Sequence, residues 1–368
     1  MKRTLQTALL LLLTGNVAPA QTPVQLPDLD TAIRTAYAQN KDLAVAAMEI
    51  ERAKSRLRWS GRLPNPHLEL SGGSDRFGLS EGERSLRLAF SQKYPLTARL
   101  HIEKEVRRAQ VLLAEAELAE HRRQLAAKIA STVLELTSAL HHETHQREHA
   151  QVKAFMVRNL GELVQRGEAS PLDLAQTRLE VRHIAQKGRT FQASHHRQRL
   201  RLNELLGLPP EARTTVPFPL ERPPQPPDQR TPLTEILPRR PDHLLARATI
   251  DASLDALQLE KARRWEDVAV KVFVERERSM DEPAGLQNNT FAGVSLSIPL
   301  PLRQKNEGGI EQAQINQESA RVAAAAVRFK VQSEYATAFQ QRLDAWHIAH
   351  QSNGEILQLA RRNYDDFR

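Results

Sequence analysis

Between Ser85 and Ser91 apolar and polar side chains alternate, with Leu86, Leu88 and Phe90 on one side and Ser85, Arg87 and Ser91 on the other. A two-residue period predicts a half-buried strand. The period then changes. After Pro95 there is no proline until Pro171 and no glycine until Gly161. A helix over that stretch, rising 1.5 Å per residue, would form a rod of about 100 Å. Within it Ile102, Val106, Ala109, Leu113 and Ala116 step by four and three, and Ile129, Val133, Leu136 and Leu140 repeat the pattern. A mean spacing of 3.5 residues is the seam of a coiled coil.

The elements around this pair follow from the same reading. A first helix is expected from about Asp30 to Arg62, capped by Asp28 or Asp30 and ended by Pro64-Asn65-Pro66. His67 to Leu70 then alternates, with Leu68 and Leu70 on one face, before Gly72-Gly73 and a loop from Ser74 to Gly82. The long helix stops at Arg166-Gly167-Glu168-Ala169-Ser170-Pro171-Leu172-Asp173. Gly167 suits a C-cap, Ser170 an N-cap, Pro171 the first helical position and Asp173 the first turn, which predicts a tight helical hairpin. A third helix returns to Leu206 and is closed by Gly207. Laid end to end and antiparallel, the first and third helices could cover the rod.

Nine prolines between 209 and 232 mark an extended linker rather than a packed element. Beyond it the chain repeats itself. At an offset of 200, Asp42, Ala46, Ile50, Leu57, Leu68 and Leu70 meet Asp242, Ala246, Ile250, Leu257, Val268 and Val270. At an offset of 206, Leu88, Phe90, Ser91 and Pro95 meet Val294, Leu296, Ser297 and Pro301. A second long helix follows from about Gly309 to Arg368. Each half therefore reads helix, strand, strand, long helix. The expected organisation is a signal peptide over 1–20, a first repeat over 21–208, the linker over 209–232 and a second repeat over 233–368.

Composition sharpens the address. Lys2 and Arg3 precede the apolar run Ala8 to Leu13, and Ala18-Pro19-Ala20 offers a cleavage site, the pattern of a secretory signal peptide. Its removal takes two cations and no acid, lowering the net charge from +8 to about +6. The remaining cations interleave with acids, so they read as solvated helix surfaces and no nucleic-acid partner is expected. The 368 residues include no cysteine, which excludes thiolate metal sites and cysteine nucleophiles. Aromatics make up only 5% of the chain, which fits long helices better than large globular cores.

Candidate chemistry is sparse. His141, His145 and His149 recur every four residues, so neighbours could chelate a metal from one helix face. Glu143 lies two residues after His141, not directly after it, which rules out the zinc-protease pattern. The sequence favours a solvated polar face there and assigns no metal. No nucleophile–histidine–acid set or phosphate-cradling loop stands out, so neither enzyme activity nor a cofactor is expected. Trp59 and Trp265 sit near helix-to-strand junctions, where an aromatic can mark a membrane interface or simply pack.

Four strands with one apolar face cannot close a membrane barrel, which needs eight or more with every edge paired; three copies would supply twelve. With its duplicated strand and long-helix order, the hairpin 166–173, the segment Leu296-Ser297-Ile298-Pro299-Leu300-Pro301-Leu302 and Arg240-Pro241-Asp242, the chain resembles the TolC family of outer-membrane efflux channels. It looks most like the outer-membrane component of heavy-metal cation resistance systems. The resemblance implies a mainly α fold of antiparallel coiled-coil helices with a small β part, a homotrimer around a twelve-stranded barrel, and a helical tunnel through the periplasm. It further implies a periplasmic adaptor and an inner-membrane pump of the resistance-nodulation-division type, the channel itself being a passive conduit. Leu68, Leu70, Leu86, Leu88, Phe90, Val268, Val270, Val272, Val294 and Leu296 would face outer-membrane lipid. Arg166, Gly167, Glu168, Ala169, Ser170, Pro171 and Leu172 would form the tip that docks the adaptor, farthest from the outer membrane, with Asp173 helping to hold the entrance closed. The family carries a second glycine hairpin and a returning helix. At an offset of 202 Arg368 sits opposite Arg166, so that hairpin and helix are expected to be lacking. Two other readings remain open: a channel of the same fold serving type I protein secretion, and a structural periplasmic coiled-coil protein without a barrel.

Overall fold

The computed structural model describes residues 24–75, 82–217, 231–281, 283–351 and Arg362. The signal-peptide segment, most of the loop after Ser74, the second half of the proline-rich stretch and nearly all of the chain beyond Gln351 lie outside them. The chain divides into two units, one of residues 1–44 with 122–221 and the other of 45–121 with 222–368.

In chain order the elements are β1 (Val24–Gln25), α1 (Leu29–Gln39), α2 (Lys41–Trp59), β2 (His67–Ser74), β3 (Arg84–Tyr94), α3 (Arg99–Gln165), α4 (Pro171–Leu206), β4 (Thr214–Thr215), α5 (Leu233–Ile236), α6 (Pro241–Ala262), β5 (Val268–Asp281), β6 (Gly285–Ser297) and α7 (Glu307–Gln351). The protein is mainly helical with antiparallel sheet, as expected. The long helix is a single element of 67 residues. All four alternating stretches are strands, and each runs longer than its alternation suggested.

In the first unit α4 runs antiparallel to the lower half of α3. The rings of His142 and Phe191 stack with centroids 4.8 Å apart, and Lys153 Nζ lies 2.7 Å from Glu180 Oε2. The expected single helix from Asp30 to Arg62 is instead two, broken at Asn40, whose backbone is extended. Asn40 accepts from Leu43 N–H through Oδ1 and donates through Nδ2 to the Leu205 carbonyl. A short polar side chain that bonds its own backbone thus caps α2 and ties the break to the end of α4. Gly207 makes that approach feasible. Its φ is +74°, and a Cβ there would lie 2.6 Å from the Gln39 carbonyl oxygen.

The proline-rich stretch is also not wholly an unpacked linker. β4 pairs in parallel with β1, and Ala212, Thr214 and Val216 are buried. The cause is Asn203, itself buried, which donates to the Pro210 and Ala212 carbonyls and accepts from Thr214 Oγ1 at 2.6 Å. A buried amide with every partner satisfied pins the chain as it leaves α4.

The buried line on α3 keeps a 3.5-residue spacing, but its upper part is shifted from the expected one. Val111, Ala114, Leu118 and Leu125 are buried, whereas Ala109, Leu113 and Ala116 are half-buried. Within the second unit Ala53, with Ile50 and Leu57 of α2, packs on Val111 and Ala114, which selects that phase. Lower down Ile129, Val133 and Leu136 are buried as expected, and Leu140 is exposed.

The second unit carries the four-stranded antiparallel sheet, in the order β2-β3-β5-β6. Its foot is tied by Arg99, which donates to both carboxylate oxygens of Asp267 at 3.0 and 2.7 Å. α6 packs along α7, clasped by Asn306 Nδ2 on the Glu260 carbonyl and carboxylate and by Arg240 between Asp242 and Glu334. Those two carboxylates raise the Arg240 pKa, the Asp242 hydrogen bond most.

Candidate functional site

Directly paired residues of an antiparallel ladder share a face. The register pairs Leu68 with Phe90, Leu70 with Leu88, Phe90 with Val272, Val270 with Leu296 and Val272 with Val294, while Leu86 lies opposite Gly72 and Val268 opposite Tyr94. All ten residues expected to face lipid therefore lie on one face of the sheet. Exposure along it is high, reaching 72% at Leu68 and 71% at Val294. Val270 is half-buried. Val268 differs from expectation: it is 7% exposed at the foot of β5, so it adds nothing to the open patch.

Val274 and Ala292 pair with each other on the same face and extend it. The alternation from Val268 to Val274 would have identified Val274. The next residues on this face are Arg276 and Arg278, opposite Thr290 and Asn288, and they bound the apolar band. From Val268 to Val274 is about 20 Å along a strand at 3.4 Å per residue.

The opposite face is mostly polar and cross-linked. Lys271 donates to Glu69 at 2.8 Å and Arg87 to Glu275 at 3.1 Å. The Arg87 guanidinium stacks 4.5 Å over Phe273, and a Cβ on Gly293 would lie 2.7 Å from that ring. Phe291 is the exposed apolar exception on this side. Among the described residues β2 and β6 each pair on one side only, so both sheet edges are open. Trp59 and Trp265 are exposed at the two helix-to-strand junctions, with the Arg62 guanidinium 4.1 Å over Trp59.

In the first unit the hairpin has the local geometry its sequence predicts. Gly167 has φ +76°, and the bonds Gly167 N–H to Val164 and Glu168 N–H to Leu163 close α3 as a Schellman motif. Ser170 Oγ accepts from Leu172 N–H at 3.2 Å, Pro171 opens α4, and Asp173 lies in its first turn. Residues 166–168 and Leu172 are exposed, and nothing within 4 Å would meet a Cβ on Gly167.

His141, His145 and His149 are exposed on α3, and the rings of His145 and His149 lie near parallel, 6.2 Å apart. Among the described residues no group of three or more His, Cys, Asp or Glu side chains is arranged to hold a metal ion. Among them, too, no helix is long and apolar enough to cross a membrane, which says nothing of a barrel.

The family model "Outer membrane efflux protein" matches residues 32–208. The cobalt-zinc-cadmium resistance protein CzcC of Cupriavidus metallidurans is 22% identical over 285 residues, 77% of this chain and 65% of that protein. This chain thus spans about two-thirds of its curated relative's length. A membrane protein from Pseudomonas aeruginosa has the same fold, with a TM-score of 0.70 at 20% identity over 92% of this chain and 82% of that one. The Campylobacter jejuni CmeC outer membrane channel superposes with a TM-score of 0.69 at 17% identity, over 92% of this chain and 76% of that one. With its helical hairpin inside the matched segment and the shared fold running through both halves, the chain is similar to outer membrane efflux proteins.

Proposed function

We propose that this chain is the outer-membrane channel subunit of a tripartite efflux system, a passive conduit without enzymatic activity. The carrying observation is the exposed apolar face that continues across all four strands. Burying one Val, Leu or Phe contributes about 1.5–3 kcal/mol, so leaving Leu68, Leu70, Leu88, Phe90, Val272 and Val294 in water forgoes on the order of 10 kcal/mol. That is comparable to the whole stability of a domain. Lipid is the solvent that removes the penalty.

The two open edges supply the rest of the argument. A lone four-stranded sheet leaves unpaired N–H and C=O groups that hydrocarbon would not tolerate. Three copies joined edge to edge would form a twelve-stranded barrel, with Leu68, Leu70, Leu86, Leu88, Phe90, Val270, Val272, Val294 and Leu296 facing lipid and the Lys271–Glu69 and Arg87–Glu275 pairs facing the lumen. The two halves of the sequence would each supply one hairpin of the protomer, as their duplication suggests. The tip 166–172 would receive a periplasmic adaptor, Asp173 would help to hold the entrance closed, and an inner-membrane pump of the resistance-nodulation-division type would supply the energy. Heavy-metal cations are the cargo class, in line with the name of the Cupriavidus relative.

Outer-membrane fractions of cells expressing the protein should contain a heat-modifiable trimer, and expression beside a cognate pump and adaptor should restore growth on cobalt, zinc or cadmium. A soluble periplasmic monomer would overturn the reading. Gly167→Trp should abolish adaptor crosslinking while leaving trimer intact, because a Cβ there has nothing within 4 Å and its positive φ strains the local backbone by only about 1–2 kcal/mol. Normal crosslinking would defeat the docking assignment.

A further inference from the structure

We infer that His141, His145 and His149 form a two-imidazole chelating site for a divalent transition-metal cation, with His145 shared by two overlapping pairs. The three residues lie at i, i+4 and i+8 of α3, so they share one face at successive turns. All three are exposed, and among the described residues none of the rings hydrogen-bonds a protein group. The 6.2 Å between the His145 and His149 rings is the rise of four helical residues, about 6 Å, as expected of two side chains in matching orientation.

Chelation needs only side-chain movement. Bound through nitrogen at about 2.1 Å, each ring centre lies about 3.2 Å from the ion, so two rings on one ion are about 5.2 Å apart in tetrahedral geometry and about 4.5 Å in octahedral geometry. Closing 6.2 Å by 1–2 Å is a rotation of χ1 and χ2 in exposed residues, with the helix unmoved.

The neighbouring charges are largely offset. Arg147, between the two rings in sequence, is paired with Glu143 at 2.9 Å. Lys153, one turn below His149, is paired with Glu180 on α4. The Lys153 hydrogen bond and charge hold the Glu180 carboxyl below the usual carboxylate range, and the proximity of His149 adds to this. A carboxylate therefore faces His149 from the only helix packed beside it among the described residues of this unit. Two imidazoles, with water completing the shell, suit nickel, copper or zinc rather than the hard cations.

The shared position of His145 sets the test. His145→Asn leaves His141 and His149 two turns apart and no adjacent pair. His141→Asn and His149→Asn each leave one pair. Calorimetric titration of the untagged full chain in detergent with Ni²⁺ should show His145→Asn weakening the tightest binding step at least about tenfold. The two outer single variants should weaken it by about twofold, the statistical factor, and the double His141→Asn/His149→Asn variant should match His145→Asn. The double variant keeps the test available if His145→Asn misfolds. Wild-type affinity in His145→Asn or in the double variant would overturn the site, as would full loss in either outer single variant. The readout is binding by the chain itself, so it can fail or succeed independently of efflux.

Discussion

Ile129 and Val133 of α3 have none of their surface exposed, while Leu68 of β2 and Val294 of β6 keep more than two-thirds of theirs. The four are aliphatic, and each sits inside a regular element with the period proper to it. On α3 the buried stripe at Val111 and Ala114 finds Ala53 of α2, and charged residues of the same helix take the water. In the sheet the order is reversed: polar residues on one face bind one another through Lys271–Glu69 and Arg87–Glu275, and above Val268 the apolar face is largely exposed among the described residues. Side-chain chemistry alone does not decide what is buried. The α3 seam at Ile129 and Val133 is buried within the chain, and the apolar face of the sheet stays open on the side that the proposed barrel would turn to lipid.

Substitutions that act on one region and not the other sharpen this contrast. The largest effect is expected from Ile129→Ala, about 2–5 kcal/mol, because a fully buried methyl cluster is lost and a cavity is left. Thermal unfolding followed by circular dichroism should show it in every solvent. A loss confined to lipid would blur the distinction between the regions.

Val272→Lys comes next, at about 2–4 kcal/mol in the membrane. It should deplete assembled trimer, whereas Lys271→Gln, one residue away on the polar face, should leave trimer abundance near wild type. Equal behaviour of the two would break the assignment of the faces.

Within the helices the two caps of the α3–α4 hairpin form an internal control. Gly167 and Gly207 have φ of +76° and +74°, so alanine at either should cost about 1–2 kcal/mol from the backbone alone. At Gly207 the new Cβ would also press on the Gln39 carbonyl at 2.6 Å, so Gly207→Ala should lower Tm more than Gly167→Ala. Equal Tm losses would mean that the α1–α2 break can yield at no cost.

The smallest effect concerns pH. Partial burial pushes the Asp255 carboxyl up, helped by Glu105 and Asp251, a faint version of the penalty a charge would meet on the apolar face of the sheet. A folded-state pKa raised above the unfolded one destabilises the ionised form, and that penalty is present at neutral pH and fades as pH falls through the carboxylate range. Asp255→Asn should therefore raise Tm slightly at pH 7 and leave it unchanged near pH 3. An increase that persists at pH 3 would show another cause.

Much of this architecture is legible in the order of residues alone. The period of two locates all four strands and their common face, because register in a ladder preserves parity from strand to strand. The change to a period near 3.5, with glycine and proline confined to its ends, locates the long helix, and Gly167, Ser170 and Pro171 locate its hairpin by local backbone preference. Such signals are carried by neighbours along the chain, so sequence by itself determined them.

What needed tertiary structure is of another kind. The break at Asn40 arises because its amide reaches Leu205, 165 residues away, while Gly207 lets the backbones meet. The packing of residues 212–216 depends on the buried Asn203 amide and on pairing with Val24–Gln25. The phase of the α3 stripe between 106 and 118 was chosen by Ala53 and its neighbours on α2. Val268 has the parity of the exposed face and is nevertheless buried at its foot. Each of these outcomes depends on a group distant in sequence, and a local period contains no information about which distant group will arrive.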